Sequence, residues 1–133
     1  MKFAEVREYM QTKSITVRPS MDVYEAAQKI MENKVSGAAV VDDENKNLVG
    51  MLPELDCLQT ILSAVYNGNS PRAALVEDVM TKDVEVNKPG DDIIDVVSSM
   101  LDHKHRRRPV IENGKLIGQV TCRQILKAFK DFD

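Results

Sequence analysis

The chain has 133 residues and a formal net charge of −3; 43% of its residues are apolar, 5% are aromatic and none is Trp. This length allows one compact domain, or two very small units that share a core. A net acidic chain with few aromatic rings lacks the basic face and the stacking surfaces of nucleic-acid-binding proteins, so we expect no nucleic-acid partner.

No apolar run approaches the ~20 residues that span a bilayer, and the N-terminus lacks the apolar core of a secretion signal. Two cysteines do not make a disulfide framework. They are typical of reduced, buried thiols in a cytoplasmic protein. We therefore expect a cytoplasmic protein with no membrane partner.

The sequence contains an internal repeat. The stretch from Val6 to Leu58 recurs from Val76 to Leu126, with Met10 returning as Met80 and Gly50 as Gly118. Two copies of one small unit must bury their apolar sides against each other, and the groove between such copies is a natural ligand site. We place the first repeat and its N-terminal lead at residues 1–68 and the second repeat at residues 69–133, with a polar linker at the boundary.

In chain order, each copy begins with a short helical lead and a brief strand that a proline ends. An amphipathic helix follows, because apolar residues recur at i, i+3, i+4, i+7 and i+8. We expect this stripe in the core, and acidic pairs resemble capping boxes at the helix starts. The segments are Ala4–Met10, Ile15–Val17, Pro19, Asp22 with Glu25, and Val23, Ala26, Ala27, Ile30, Met31 in copy one; copy two has Val76–Met80, Val84–Val86, Pro89, Asp92 with Asp95, and Ile93, Val96, Val97, Met100, Leu101.

Two apolar strands and a second helix complete each copy. The unbroken apolar runs indicate strands buried on both faces, and Asn113-Gly114 is a strong signal for a tight hairpin. The second helices carry more apolar surface than such thin units can cover alone, so we expect at least a homodimer. The strands are Ala38–Val41, Leu48–Leu52, Pro109–Ile111 and Leu116–Thr121; the helix stripes are Leu55, Leu58, Ile61, Leu62, Val65 and Cys122, Ile125, Leu126, Phe129.

The two β-α-β-β-α units predict an α/β (α+β) fold, and four segments connect them to a known family. These are Val35–Asp42 and Leu48–Leu52, repeated as His105–Ile111 and Lys115–Thr121. The double set resembles the tandem cystathionine-β-synthase-type (CBS) domain pair, or Bateman module. The resemblance implies repeats packed with pseudo-two-fold symmetry, a disc-like dimer, and regulatory binding of AMP, ADP, ATP or an adenosyl compound in two clefts between the repeats. No cofactor is implied to be required.

The ligand motif of the family is Gly-x-x-Thr/Ser-x-x-Asp. A hydroxyl at a helix N-terminus can join backbone N–H groups in holding phosphate, and a carboxylate one turn later can accept both ribose hydroxyls. Copy one reads Gly50 to Asp56 with Pro53 in place of the hydroxyl residue. Copy two keeps the hydroxyl of Thr121 and has Gln124 in place of the carboxylate.

The resemblance also implies that each cleft combines the motif of one repeat with the strand start of the other. Site one would use Thr121, Arg123 and Gln124 with Thr16, Val35, Ser36, Gly37 and Ala38. Site two would use Pro53 and Asp56 with Val84, His105, Arg106 and Arg107.

Each of these residues also has a plain structural interpretation. The basic run from Lys104 to Arg108 is either a phosphate clamp or solvated surface charge, and Arg108 stands where copy one has a small apolar residue. Asp56 is also explained by the helix dipole, and Thr121 by N-capping. His103 and the histidine two residues later would diverge on a helix, so we expect no metal site.

Two functions remain open. The first is a nucleotide sensor that acts in trans on an unknown protein partner, because the two repeats fill the chain. The second is a ligand-free module for dimerisation and protein interaction. An enzyme is not expected, because the sequence offers no nucleophile–base pair, Walker-type loop or paired catalytic carboxylates.

Overall fold

A computed structural model describes residues 3–132 of the chain. These residues form two compact units, which we call the repeat-1 unit (Ile15–Val84) and the repeat-2 unit (residues 3–14 with 85–132). The sequence repeat places the boundary between the copies at residues 68 and 69. The compact units instead divide the chain after residue 14 and after residue 84. Each lead hydrogen-bonds to strands of the other copy, and the first lead therefore belongs to the repeat-2 unit.

The repeat-1 unit has the predicted β-α-β-β-α order. Its elements are β1 (Thr16–Val17), α1 (Val23–Glu32), β2 (Gly37–Val41), β3 (Leu48–Pro53), α2 (Glu54–Tyr66) and the short α3 (Val76–Val79). β1 runs parallel to β2, and β2 pairs antiparallel with β3. All of β2 is buried, as its apolar run predicts.

Helix α1 begins where the sequence predicts, because the Asp22 carboxylate accepts a hydrogen bond from the Glu25 backbone N–H at 2.7 Å. The stripe is only partly core. Val23 and Ile30 are buried, but Met31 is 62% exposed, so its predicted place in the core is wrong. The apolar stripe is wider than the face that the sheet covers.

Helix α2 turns its leucines outward. Cys57 is the buried residue of this helix, whereas Leu55, Leu58, Leu62 and Val65 are exposed. Helix α2 is apolar on two sides, and the side that carries the small residue Cys57 is the buried one. A broad apolar face is therefore left in solvent.

The repeat-2 unit starts with a 3₁₀ turn, Val6–Glu8, where a longer helical lead was predicted. Its other elements are α4 (Ile93–His103), β4 (Arg107–Glu112), β5 (Lys115–Thr121) and α5 (Cys122–Lys130). The β4-β5 hairpin turns at Asn113 and Gly114, which have φ of 54° and 80°, as the predicted tight turn requires. Ile125 and Ala128 of α5 are buried.

Three predictions for the second copy are wrong. Val84–Val86 is not a strand: the pairing is a single parallel bridge between Asn87 and Val110, and the chain then turns because Asp91 accepts the Lys88 N–H. Asp92 does not cap α4, since its carboxylate accepts the Phe3 N–H at 3.1 Å. Leu101, like Met31 in copy one, is largely exposed (73%).

The residue that follows each lead pairs with the second strand of a hairpin, beside a glycine of that strand. Met51 and Thr81 exchange two backbone hydrogen bonds of 2.9 Å in the repeat-1 unit. Gln11 and Gln119 do the same at 2.8 and 2.9 Å in the repeat-2 unit. The methionine before each pair, Met80 or Met10, lies against Gly50 or Gly118 respectively. No helix within residues 3–132 is long and apolar enough to cross a membrane.

Candidate functional site

In the repeat-1 unit, the start of α2 lies beside the segment that leads into β2. Gly37 pairs with Pro53, and the Glu54 backbone N–H donates to the Ser36 carbonyl at 2.9 Å. Pro53 is the N-cap residue and brings no hydroxyl. Asp56 lies in the first turn and is half-buried. The fold thus brings together Ser36 and Gly37, predicted for site one, with Pro53 and Asp56, predicted for site two.

Three further predicted residues lie in the repeat-1 unit around the same strands. Thr16 on β1 pairs with Ala39 on β2, and the Thr16 carbonyl accepts a hydrogen bond from Lys29 Nζ at 2.6 Å. Val35 is half-buried, whereas Ala38 is 1% exposed within the core.

Strand register shows which residue of copy two is equivalent to Thr16 of copy one. Val40 pairs with Gly50, and Val110 pairs with Gly118, so these two positions are equivalent. Val17 bridges the first and Asn87 bridges the second. The residue equivalent to Thr16 is therefore Val86 and not Val84. The sequence did not reveal this shift, because Val-Glu-Val imitates the alternation of a strand.

The repeat-2 unit repeats the same local geometry. Arg107 pairs with Thr121, and the Cys122 backbone N–H donates to the Arg106 carbonyl at 3.1 Å. Thr121 and Gln124 form a reciprocal capping box, in which the Thr121 N–H donates to Gln124 Oε1 at 3.2 Å. The N-capping interpretation of Thr121 is therefore confirmed, and Gln124 is held in the cap.

The two helix starts differ in charge. The first turn of α5 carries Arg123 and no acidic residue, and the chain beside it carries the exposed Arg106 and the half-buried Arg107. The first turn of α2 carries Glu54 and Asp56 and no basic residue. Cations at a helix N-terminus oppose the helix dipole and favour an anion there, whereas the α2 start is already negative.

The buried Arg108 is paired with the half-buried His105. Arg108 is 2% exposed, and its Nε donates to His105 Nδ1 at 3.2 Å. Burial first, and then the charges of Arg108 and His103, lower the pKa of His105. The His103 and His105 rings are 5.2 Å apart, because Lys104 takes a left-handed φ of 57° and turns the chain at the end of α4. The prediction that these rings diverge is wrong.

Neither histidine belongs to a metal-binding cluster. Over residues 3–132, no three His, Cys, Asp or Glu side chains are grouped in a way that could hold a metal ion. Arg108 is hydrogen-bonded to His105 and is buried on β4, so it is not a solvated surface charge.

The two thiols have different surroundings. Cys57 is buried, and desolvation first, with the charge of Asp56 second, raises its pKa to about 11. Cys122 is free and exposed at the start of α5, so the prediction that both thiols are buried is wrong for this residue. The first position of a helix places it outside the face that packs on the sheet.

A groove of about 660 Å³ lies on the repeat-1 unit between α1 and α2. Its walls include Met31, Leu55, Leu58 and Ile61, with Glu54 at its edge. The sequence does not indicate this groove, because the apolar stripe of α1 predicts that all of its residues, Met31 included, lie in the core.

Comparisons with known proteins agree with this architecture. The CBS domain family matches residues 6–63 and 76–131. The chain is 32% identical over 122 residues to the uncharacterized protein MJ1225 of Methanocaldococcus jannaschii, and 31% identical over 121 residues to an inosine-5'-monophosphate dehydrogenase of Staphylococcus haemolyticus. These matches take up 92% and 90% of this chain, but it spans 41% of the first relative and 23% of the second.

Among solved structures, CBSX2 in complex with AMP superimposes with a TM-score of 0.83 at 30% sequence identity. The match covers 96% of this chain and 97% of CBSX2. The dehydrogenase match spans less than a quarter of that enzyme, so it carries no activity over to this chain. Since the family model matches the chain twice, the chain belongs to the CBS domain family and carries a tandem pair of its domains.

Proposed function

We propose that this CBS domain pair is a regulatory module that binds an adenine nucleotide, or a related adenosyl compound, and acts in trans on a protein partner. The observation that carries the proposal is the charge contrast between the two helix starts. Arg123 lies in the first turn of α5, beside the segment that carries Arg106 and Arg107, whereas Glu54 and Asp56 lie in the first turn of α2. The AMP complex of CBSX2, at 30% identity, supports the same ligand class.

The phosphate contacts are assigned to Arg106 and Arg107, which carry planar donors suited to phosphate oxygens. These two arginines belong to site two, whereas at site one the start of α5 offers Arg123 and backbone N–H groups. Thr121 can contribute its hydroxyl only by giving up part of its bond to Gln124. Phosphate contact by Thr121 therefore weakens the N-terminal cap of α5, whereas phosphate contact by Arg106 leaves the cap intact.

The ribose contact is assigned to Asp56. A carboxylate in the first turn of a helix can accept from both ribose hydroxyls, which gives two charge-assisted hydrogen bonds. Site two then holds both halves of the chemistry, with Pro53, Asp56 and Val84 joined by His105, Arg106 and Arg107. We add Val86 to this site from the strand register. Site one has Thr121, Arg123 and Gln124 with Thr16 and Val35–Ala38, and lacks the carboxylate.

Isothermal titration calorimetry of AMP, ADP and ATP tests the assignment. Asp56→Ala removes a charge-assisted contact of ~1.5–3 kcal/mol, so we expect binding at site two to weaken about tenfold or more. Asp95→Ala is the matched control, because Asp95 is an exposed first-turn acid of α4 that belongs to neither site. Equal weakening by both variants would contradict the role of Asp56.

Two repair variants test the altered motif positions. Gln124→Asp restores a ribose carboxylate at site one, and Pro53→Thr restores a hydroxyl and a backbone N–H at site two. Each is expected to strengthen binding at its own site. If neither variant binds better than the parent, these positions do not contact the nucleotide.

The second candidate is a ligand-free module that acts through its surface. The exposed apolar face of α2 favours it, because a patch of this kind is typical of an interaction site. A thermal-shift panel with AMP, ADP, ATP, an adenosyl-sulfonium and NAD separates the two functions. A ligand at ~100 times its Kd adds ~2.7 kcal/mol to the free energy of unfolding, whereas the second candidate predicts no shift.

In both cases we propose a homodimer formed through helix faces. Sedimentation equilibrium at micromolar concentration should give twice the mass of one chain, and a single-chain mass would contradict the dimer. We propose no catalysis; turnover of any of these nucleotides by the purified protein would overturn that.

A further inference from the structure

Three polar side chains of the repeat-2 unit lie in a row across one face of its sheet. Arg107 pairs with Thr121, and Gln119 lies two residues before Thr121 on β5, so Arg107 and Gln119 are diagonal neighbours on one face of the hairpin. Gln11 pairs with Gln119 along the other edge of β5 through two backbone hydrogen bonds. Residues directly opposite each other in a sheet share a face, so Gln11 completes the row.

Hydrogen bonds join these three side chains in series, and we call the series the relay. Arg107 Nη1 donates to Gln119 Oε1 at 3.2 Å, and Gln119 Nε2 donates to Gln11 Oε1 at 3.0 Å. Gln119 is 5% exposed, so solvent has little access to its amide. A buried amide that loses a partner bears the cost of its desolvation, and this favours the orientation in which both ends are bonded.

Copy one has the same backbone pairing and different side chains. Met51 and Thr81 exchange two backbone hydrogen bonds as Gln119 and Gln11 do. By strand register, Gly37 stands where copy two has Arg107. A glycine has no side chain and a methionine has only a weakly accepting sulfur, so these residue types cannot form the relay. The backbone pairing of a lead therefore does not require the relay, which accompanies the arginine-bearing site.

We infer that Gln119 and Gln11 are positioning residues, which hold the Arg107 guanidinium in place for the phosphate of a nucleotide at site two. The inference rests on the proposed function, which assigns Arg107 to that phosphate. A guanidinium has five N–H donors in a planar fork, so the bond from Nη1 to Gln119 orients the fork and still allows a bond to phosphate from another nitrogen. A side chain that is already ordered loses less freedom on binding.

The relay also couples site two to the N-terminal lead. A phosphate that fixes Arg107 also fixes the amide of Gln119, and through this amide it fixes the side chain of Gln11. Such coupling is reciprocal, so a change at Gln11 alters the affinity for phosphate by the factor by which phosphate stabilises the contact of the lead. Arg106 is exposed and lies outside the relay, and it therefore serves as the comparison.

Nuclear magnetic resonance of the ligand-free protein tests the relay itself. The side-chain N–H protons of Gln119 should exchange slowly with solvent in the parent. Arg107→Ala removes the donor to Gln119 Oε1, so exchange should accelerate several-fold and the side-chain amide signals of Gln11 should shift. Arg106→Ala is the matched control and should change neither. An equal response to the two arginine variants would overturn the relay.

Calorimetric titration with AMP and with adenosine tests the role in binding, because these ligands differ only in the phosphate. Gln119→Met introduces the residue of copy one. It should weaken AMP at site two about two- to tenfold, the cost of ordering one long side chain, and leave adenosine unchanged. Gln59→Met makes the same change at an exposed position of α2 outside both sites and should alter neither affinity. Site two is identified as the site that Asp56→Ala weakens.

Variants of Gln11 test the outer end of the relay. Gln11→Glu keeps an oxygen that accepts from Gln119 Nε2, whereas Gln11→Met removes it. Affinity for AMP should be retained in the first variant and should fall in the second. Combining Gln11→Met with Gln119→Met should weaken AMP no more than Gln119→Met does alone, because residues that act in series are not additive. Additive losses would contradict a series.

The outcomes separate this inference from the proposed function. Equal loss of AMP and adenosine binding in Gln119→Met would show that Gln119 supports only the fold. If the parent binds AMP and Gln119→Met binds it equally well, the inference fails and the proposed function stands. A parent that binds no adenine nucleotide contradicts the proposed function and the phosphate role of the relay together.

Discussion

The replacement of Gly50 or Gly118 by alanine tests how the leads are held. A methyl group at Gly50 would lie 2.8 Å from the Thr81 carbonyl oxygen and 2.7 Å from Met80 Sδ. At Gly118 it would lie 2.8 Å from the Gln11 carbonyl oxygen. A methionine can rotate away from such a contact. The carbonyl cannot, because Thr81 and Met51 exchange two backbone hydrogen bonds at this position.

The cost follows from these contacts. Forcing a methyl group into a packed site costs ~1–3 kcal/mol, and strain on two hydrogen bonds adds ~1 kcal/mol. We expect the free energy of unfolding to fall by about 2–4 kcal/mol in each variant. With an unfolding entropy of about 2.1 cal/mol/K per residue, each kcal/mol lowers the Tm of this chain by about 4 °C, so the Tm should fall by about 8–15 °C.

Thermal and urea unfolding followed by circular dichroism measure the effect. Gly90→Ala is the matched control, because a methyl group there has its nearest neighbour, Arg7, at 4.0 Å and the backbone is not left-handed. That variant should be neutral or slightly stabilising. Adding Met80→Ala to Gly50→Ala should recover only part of the loss. If Gly50→Ala and Gly118→Ala have the same Tm and urea midpoint as the control, the leads are not packed on these glycines.

Three further outcomes are expected. A thiol reagent should modify Cys122 at once and Cys57 only on unfolding, because Cys57 is buried with its pKa raised to about 11; mass spectrometry of partly labelled protein checks this. Burial, followed by the charges of Arg108 and His103, lowers the pKa of His105, so the stability that depends on its neutral form is present above the ordinary value of 6.5 and is lost as the pH falls below it. His105→Gln should therefore flatten the dependence of the urea midpoint on pH between about 7 and 5, and an unchanged slope would contradict this. Gly114→Ala, at a φ of 80°, should cost about 1 kcal/mol by urea unfolding, and a neutral result would argue against the tight turn.

The spacing of apolar residues and the residue types typical of turns predicted most of the helices and strands. The i, i+3, i+4 stripe located α1 and α4, and Asn113-Gly114 located the hairpin, because both signals depend on neighbours in the chain. The same local signals failed at residues 84–86. There the bridge is made by Asn87, and which residue pairs with β4 depends on a strand distant in sequence.

The candidate site was predictable in its chemistry and less so in its arrangement. The Gly50 to Asp56 motif and its copy indicated which residues follow each strand, and the structure places them at helix starts. The hydrogen bond between Thr121 and Gln124 was not foreseen as a competitor for ligand contact. The side chain of Arg108 could not be placed from sequence, because its burial depends on the turn at Lys104 that brings His105 to it.

The sequence alone determined the duplication, the order of the main helices and the hairpin in each copy, and the family, because these follow from residue types and their spacing along the chain. Tertiary structure decided which side of each helix is buried and which lead joins which strands. Periodicity marks a face as apolar without naming what covers it, so the α1 stripe was assigned to the core although Met31 is in solvent. The leads were assigned to their own repeats because sequence repeats align neighbours, whereas the hydrogen bonds of Gln11 and Thr81 join residues far apart in the chain.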